Sequence, residues 1–268
     1  MITLSILSLI CLCLSAFLIL RFSGSHSTSR RYTLISPALL GTVIQVFLLA
    51  ELIYANNGQL NLGFFNAMAL IGWLVSIQIL ISSLYRPLES LGIVMFPLSG
   101  IAFVLAVFIP SDQPFAVSNQ YLSSHIMISV IAYSLIMLSA IQALALAYQD
   151  HAIRSHHPGG FIRFLPPLHD METLLFQMLG FGFIFLTTAL LSGFFFVDDL
   201  FAQQLVHKTV LSIIGWFILG VLLFGRYQFG WRGKVAIRWT LTAFIFIMLA
   251  YFGSKLVLEF IIQSNQNL

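Results

Sequence analysis

Long apolar segments follow one another along this chain, and short polar stretches separate them. A helix needs about 20 predominantly apolar residues to cross the hydrocarbon core of a bilayer, and the segments have about that length. The segments do not alternate between apolar and polar residues, as the strands of a membrane barrel do. The pattern therefore predicts an all-α polytopic membrane protein, a bundle of about eight transmembrane helices. The predicted spans are residues 2–21, 37–54, 63–84, 91–109, 122–148, 172–196, 207–225 and 236–261.

The composition supports lipid as the main solvent. Of the 268 residues, 59% are hydrophobic and only 8% are charged, whereas a soluble domain carries about 25% charged residues. A chain this poor in charge cannot cover a water-facing surface. No loop between the spans is long enough to form a water-soluble domain, so we predict a single transmembrane domain over residues 1–268.

The basic residues indicate how the bundle is oriented. Ten of the twelve Lys and Arg residues lie in the first, third, fifth and seventh loops or, for Arg238, just inside the last span. The positive-inside rule places those loops in the cytoplasm. Both termini are then predicted to be outside. The two exceptions, Lys208 and Lys255, lie near the outer ends of spans seven and eight.

Two histidines stand at the predicted outer membrane boundary. His125 opens the fifth span and His207 opens the seventh. A histidine at this depth can ligate a metal ion or haem iron through its neutral ring, or it can be a polar side chain that reaches the interface from a helix end. Small residues recur below His125 at helical spacing, and Gly215 lies on the face of His207. Small residues let helices approach closely, so both histidines are predicted to point into the bundle.

Two lysines near the same boundary have two interpretations. Lys255 stands four residues before Glu259 and can pair with it. Alternatively, Lys208 or Lys255 neutralises an anionic group of a ligand. The histidines of residues 151–157 are typical of a solvated inner loop and not of a metal site. No signature of a metalloprotease, serine hydrolase, nucleotide-binding loop or dinucleotide fold is present, so no enzyme is predicted.

Four stretches together resemble the cytochrome c assembly protein family, which includes the membrane haem-handling proteins CcsA, ResC and HemX. His125 and Tyr133 have the histidine-to-tyrosine spacing of one family helix, and residues 180–193 resemble the helix that follows it. Residues 208–216 are similar to the end of the family's tryptophan-rich outer motif, and residues 230–234 to its last inner loop. The resemblance covers about residues 60–260 and is greatest to short members from Gram-negative inner membranes.

The resemblance implies haem as a cofactor. In that family, histidines on the outer face hold haem for transfer to apocytochrome c, and His125 matches the first of them. His207 is then expected to substitute for the second axial ligand of the haem iron, with Lys208 or Lys255 near the propionates. The tryptophan-rich motif is absent from residues 194–206. The family's second outer histidine is also absent, so the chain is not expected to be a cytochrome c synthase.

Two functions are compatible with these features. The first is a haem-binding or haem-handling inner-membrane protein that carries out no chemistry of its own. The second is a haem-free accessory protein that stabilises or regulates another membrane protein, such as a transporter, or an enzyme of the tetrapyrrole pathway. The retained His125 favours the first function, and the missing tryptophans favour the second. The expected partners are the lipid bilayer and another membrane protein; the scattered basic residues give no footprint for nucleic acid.

Overall fold

The computed structural model describes residues 1–22, 28–53, 61, 63–85, 89–109, 120–155, 165–196 and 206–253, with the backbone alone at 28–31, 120, 121, 196, 207, 252 and 253. All regular structure within these ranges is helical. The helices are α1 (Ile2–Phe22), α2 (Thr28–Ile53), α3 (Phe64–Tyr85), α4 (Glu89–Phe108), α5 (Gln120–Arg154), α6 (Leu168–Phe196), α7 (Val206–Phe229) and α8 (Lys234–Met248), and α8 continues as a π-helical turn, Leu249–Gly253.

Each of the eight described helices is long and apolar enough to cross a membrane. Large hydrophobic side chains such as Phe47 and Ile184 are exposed along them, which suits helices that face lipid. Helices satisfy all their backbone hydrogen bonds internally, as the interior of a bilayer requires. The predicted all-α membrane fold is confirmed, and the side of the membrane on which the termini lie stays a prediction.

The start of the second helix differs from the prediction. The predicted span begins at residue 37, whereas α2 begins at Thr28 and contains Pro37. Proline removes the N–H that would bond the carbonyl four residues earlier, which here belongs to Thr33. The Ser36 hydroxyl donates to that carbonyl oxygen at 3.0 Å. Because this hydrogen bond replaces the missing one, the helix continues through the proline.

Other helix ends also lie outside the apolar segments. α5 continues to Arg154, and α6 begins at Leu168, beyond the predicted span ends at 148 and 172. Hydropathy detects only the apolar part of a helix, and polar residues can extend it into the interface. The predicted end of the last span, residues 254–261, lies outside the described residues.

The chain divides into two compact units, Met1–Ser118 with Ala152–Pro167 and Asn119–His151 with Leu168–Leu268. The single transmembrane domain expected from the sequence stays a prediction. In the first unit, α1 packs on α2 and α4, and α3 packs on α4. Ser15 donates to the Leu34 carbonyl oxygen at 2.8 Å, which joins α1 to α2. Gln45 and Ser99 hydrogen-bond each other between α2 and α4, as expected of polar residues that hold membrane helices together.

In the second unit, α7 packs on α8, on the π-helical turn and on α6. A Cβ atom at Gly215 would lie 2.5 Å from Ile247 Cγ1, so this glycine lets α7 and α8 approach closely. Gln142 donates to the Met171 carbonyl oxygen at 3.2 Å, which joins α5 to α6. Gln177 of α6 is exposed and does not join two helices in this way.

Candidate functional site

The site begins with His125 in the first turns of α5. Its ring nitrogen Nδ1 lies 2.8 Å from the hydroxyl oxygen of Ser192 on α6. The side chain therefore contacts a neighbouring helix, which confirms the prediction made from the small residues of α5. Ala132, Ala140 and Ala143 on that helix are buried, as close packing requires.

The hydrogen bonds around Ser192 are compatible with a proton on Nδ1 of the histidine ring. The Ser192 hydroxyl donates to the Ala189 carbonyl oxygen at 2.9 Å. A hydroxyl has a single hydrogen, so toward His125 the Ser192 oxygen acts as an acceptor. In that arrangement Nδ1 of His125 carries the proton and donates. In a neutral ring this leaves the lone pair on Nε2, which is the form that ligates metals.

Gly193 makes room for this ring. A Cβ atom at residue 193 would lie 3.1 Å from His125 Cε1 and less than 4 Å from both ring nitrogens. The Cε1 edge of the ring thus lies close to the backbone of α6. On its own helix, Ser129 donates to the backbone carbonyl oxygen of His125 at 2.8 Å and does not touch the ring. Ser192 and Gly193 therefore determine the ring's orientation.

A second group of side chains lies near His125. Lys208, at the start of α7, is close enough to act on His125 electrostatically, and its Nζ lies 5.9 Å from the ring centroid of Tyr251. Tyr251 packs on Tyr133 of α5 with ring centroids 4.9 Å apart. The Tyr133 side chain in turn lies near that of Ser212 on α7. Residues of α5, α7 and the π-helical turn thus meet beside the histidine.

The π-helical turn accounts for the position of Tyr251. One extra residue per turn rotates the side chains that follow, and Tyr251 is the third residue of this turn. Within the described part of the chain, no carboxylate pairs with Lys208. A positive charge at this depth is costly without a partner, so the ammonium group is suited to an anionic ligand.

Several predicted site residues fall outside what the structure describes. The backbone of His207 belongs to α7, but its side chain lies outside the described residues, as do Lys255 and its possible partner Glu259. The loop 197–205 between α6 and α7 lies outside them as well. His151 is exposed at the end of α5, twenty-six positions after His125.

A bare metal ion and a haem iron differ in the ligands that they take from a protein. Among the described residues, no group of three or more His, Cys, Asp and Glu side chains is arranged to hold an ion, and a structural ion such as zinc takes about four ligands. Haem iron takes its other ligands from the porphyrin and needs only axial ones. His125 offers an oriented ring nitrogen, and Lys208 offers a charge for an acidic edge.

Comparisons with known proteins identify a family and several relatives of this chain. Residues 33–262 match the model of a family described as "Cytochrome C assembly protein", so α1 and the first residues of α2 precede the match. The "Inner membrane protein YpjD" of Escherichia coli (strain K12) is 29% identical over 234 residues, which cover 87% of this chain and 88% of that protein.

Two further relatives are more distant. "Cytochrome c biogenesis protein CcsA" of Chlamydomonas reinhardtii is 20% identical over 146 residues, covering 54% of this chain and 40% of that protein. "Protein HemX" of Brevibacillus brevis is 21% identical over 159 residues, covering 57% and 58%. No solved structure matches the chain.

Proposed function

The chain belongs to the cytochrome c assembly protein family, and from that membership we propose that it binds and handles haem in the bacterial inner membrane. The family resemblance predicted from the sequence is confirmed, and so is the location in the inner membrane. The name of the CcsA relative refers to cytochrome c biogenesis, which supports a role connected with haem. The haem-binding role itself is the proposal, and it rests on the site around His125.

One observation carries this proposal: the chain of hydrogen bonds from His125 through Ser192 to the Ala189 carbonyl. Histidines that ligate metals usually donate their other ring N–H to a protein acceptor, which fixes the tautomer and strengthens the ligand. His125 has such an acceptor, and its Nε2 is the atom we propose as an axial ligand of haem iron.

The remaining ligand positions extend the same proposal. His207 immediately precedes Lys208 at the start of α7, and we assign it as the second axial ligand. Lys208 and Lys255 are assigned to the haem propionates, because each carboxylate needs a cation or water when it leaves bulk solvent. The support for Lys208 is its position near His125 and its lack of a carboxylate partner among the described residues.

We propose further that the chain has no enzymatic activity and does not attach haem to apocytochrome c. Haem is a large flat apolar ring, and tryptophan side chains offer the stacking area that a transfer platform needs. The four tryptophans of the chain are at positions 73, 216, 231 and 239, and none lies in residues 194–206. Asp198 and Asp199 in that segment would also repel the propionates.

A haem titration tests the proposed ligand. Full-length protein is purified in mild detergent and titrated with hemin, and the Soret absorption of bound haem is recorded. His125→Ala should abolish the ligated spectrum or change it strongly, because an axial nitrogen is lost. His151→Ala, in which an exposed histidine of the same helix is removed, should bind as the wild type does. Loss of the spectrum in His151→Ala but not in His125→Ala would refute the site.

The second candidate is a haem-free accessory protein for another membrane protein or for a tetrapyrrole-pathway enzyme. The observation that favours it is the missing tryptophan-rich segment. In that case the purified chain stays colourless in the presence of hemin, and His125→Ala changes its association with the partner protein and not its spectrum.

A further inference from the structure

The connection between α7 and α8, residues 225–234, is a tight turn of defined backbone conformation, and we refer to it as the corner. Gly230 has φ +66°, a conformation that glycine adopts readily and that often ends helices. Its N–H donates to the Arg226 carbonyl oxygen at 3.1 Å, and the N–H of Trp231 donates to the Gly225 carbonyl oxygen at 3.2 Å. These bonds satisfy two carbonyls near the end of α7 and set the direction of the chain into α8.

Side chains hold this corner from both sides. A Cβ atom at Gly225 would lie 2.5 Å from Trp231 Cδ2, so the indole lies directly on the glycine. The buried Glu172 of α6 accepts the N–H of Gly233 at 2.8 Å. Arg226 donates to the Trp231 carbonyl oxygen at 3.1 Å. Because the backbone is held at three points, the positions from which the exposed side chains of the corner project are defined.

Those exposed side chains include three cations. Arg232, Lys234 and Arg238 are exposed, and none of them has an ion-pair partner within the described part of the chain. Lys234 and Arg238 are one helical turn apart and lie on the same face of α8. The carboxylate of Glu172 belongs to a buried residue and is engaged with the Gly233 backbone.

The same face of α8 becomes aliphatic away from the corner. After Lys234 and Arg238, its exposed positions are Thr242, Ile245 and Leu249. At a rise of 1.5 Å per residue, Leu249 lies about 16 Å along the axis from Arg238. Half the hydrocarbon thickness of a bilayer is about 15 Å. This exposed stripe of α8, which runs from Lys234 to Leu249, is basic at one end and aliphatic at the other. It therefore has the polarity and the length of one phospholipid in one leaflet.

We propose that this corner binds an anionic phospholipid, with its phosphodiester headgroup at Arg232, Lys234 and Arg238 and an acyl chain along Ile245 and Leu249. The corner lies on the predicted cytoplasmic side, where the lipid belongs to the inner leaflet. Basic side chains at that surface attract anionic lipids, and each contributes a factor of about five in affinity. An acidic protein partner would complement the cations but not the aliphatic half of the stripe. This site is independent of the proposed haem site.

Native mass spectrometry of the full-length protein in detergent tests the proposal. The protein is titrated with dioleoyl phosphatidylglycerol and with dioleoyl phosphatidylcholine, which carry identical acyl chains and differ in headgroup charge. The wild type should prefer phosphatidylglycerol, and Lys234→Gln/Arg238→Gln should bind it about 25-fold more weakly. A matched control, Arg21→Gln/Arg154→Gln, removes two other exposed cations and should bind as the wild type does.

Three outcomes overturn the proposal: equal affinity of the wild type for both lipids, unchanged binding in the Lys234→Gln/Arg238→Gln variant, or equal weakening in the control. The charge-preserving variant Lys234→Arg/Arg238→Lys should keep the preference. If the glutamine variant does not fold, the wild type still decides, because an electrostatic preference must fall as salt concentration rises. A preference that does not respond to salt contradicts the assignment.

Discussion

Replacing Ser192 by alanine tests the hydrogen bonds that orient the proposed haem ligand. The change removes the acceptor 2.8 Å from His125 Nδ1 and leaves the ring free to rotate or to adopt the other tautomer. A net hydrogen bond contributes about 0.5–1.5 kcal/mol, a factor of about 2–13 in affinity. Loss of a partner behind a ligating histidine typically lowers metal affinity about 10–100-fold. The two ranges meet near tenfold, and we expect Ser192→Ala to weaken hemin binding by about that factor.

The assay is a hemin titration of detergent-purified variants, with the dissociation constant taken from the Soret change. Ser192→Thr retains a hydroxyl and should recover most of the affinity. Ser129→Ala is the matched control, because Ser129 donates to the backbone of His125 and does not touch its ring. Equal affinities for Ser192→Ala and wild type, while His125→Ala loses binding, would refute the role of Ser192 and leave the haem ligand intact. No binding in any variant would refute the haem proposal itself.

Three further predictions concern topology, packing and activity. Reporter fusions at Asn56 and at the C-terminus should report an outer location and a fusion at Gly230 a cytoplasmic one; a cytoplasmic C-terminus would show that one span has been miscounted. Trp216→Phe removes the 2.8 Å hydrogen bond from the indole to Thr187 Oγ1 and should destabilise the protein by about 1 kcal/mol in unfolding measurements, whereas full retention of stability would mean that this bond contributes nothing. Expression in cells that lack their membrane cytochrome c synthase should not restore covalent haem on a reporter cytochrome; robust maturation would show that the tryptophan-rich segment is dispensable.

The fold follows largely from the sequence because the bilayer permits few alternatives. An apolar segment of sufficient length must form a helix in lipid, so hydropathy locates the spans. It does not locate the ends of helices that extend into the interface. It also misplaces the start of α2, because a proline such as Pro37 normally marks a helix end. The Ser36 hydroxyl bonds the carbonyl that Pro37 leaves without a donor, and this bond depends on the rotamer of Ser36.

The candidate site is only partly readable from the sequence. The small residues of α5 indicate which way His125 points, because helical spacing fixes a face. In the sequence, Ser192 is one serine within an apolar helix and nothing marks it as the partner of His125. Its contact with His125 depends on the register between α5 and α6. The sequence carries no sign that Tyr251 belongs to the site, because the π-helical turn that places it beside Lys208 leaves no periodic signal.

The central claim is that this membrane protein carries haem on His125. The most direct measurement is the visible absorption spectrum and haem content of full-length protein purified from haem-replete cells, compared with those of the His125→Ala variant. We predict a Soret band with haem close to one per chain in the wild type and its loss or marked displacement in the variant. A wild-type protein that is colourless and acquires no Soret change with hemin, or a variant whose spectrum equals that of the wild type, would contradict the claim.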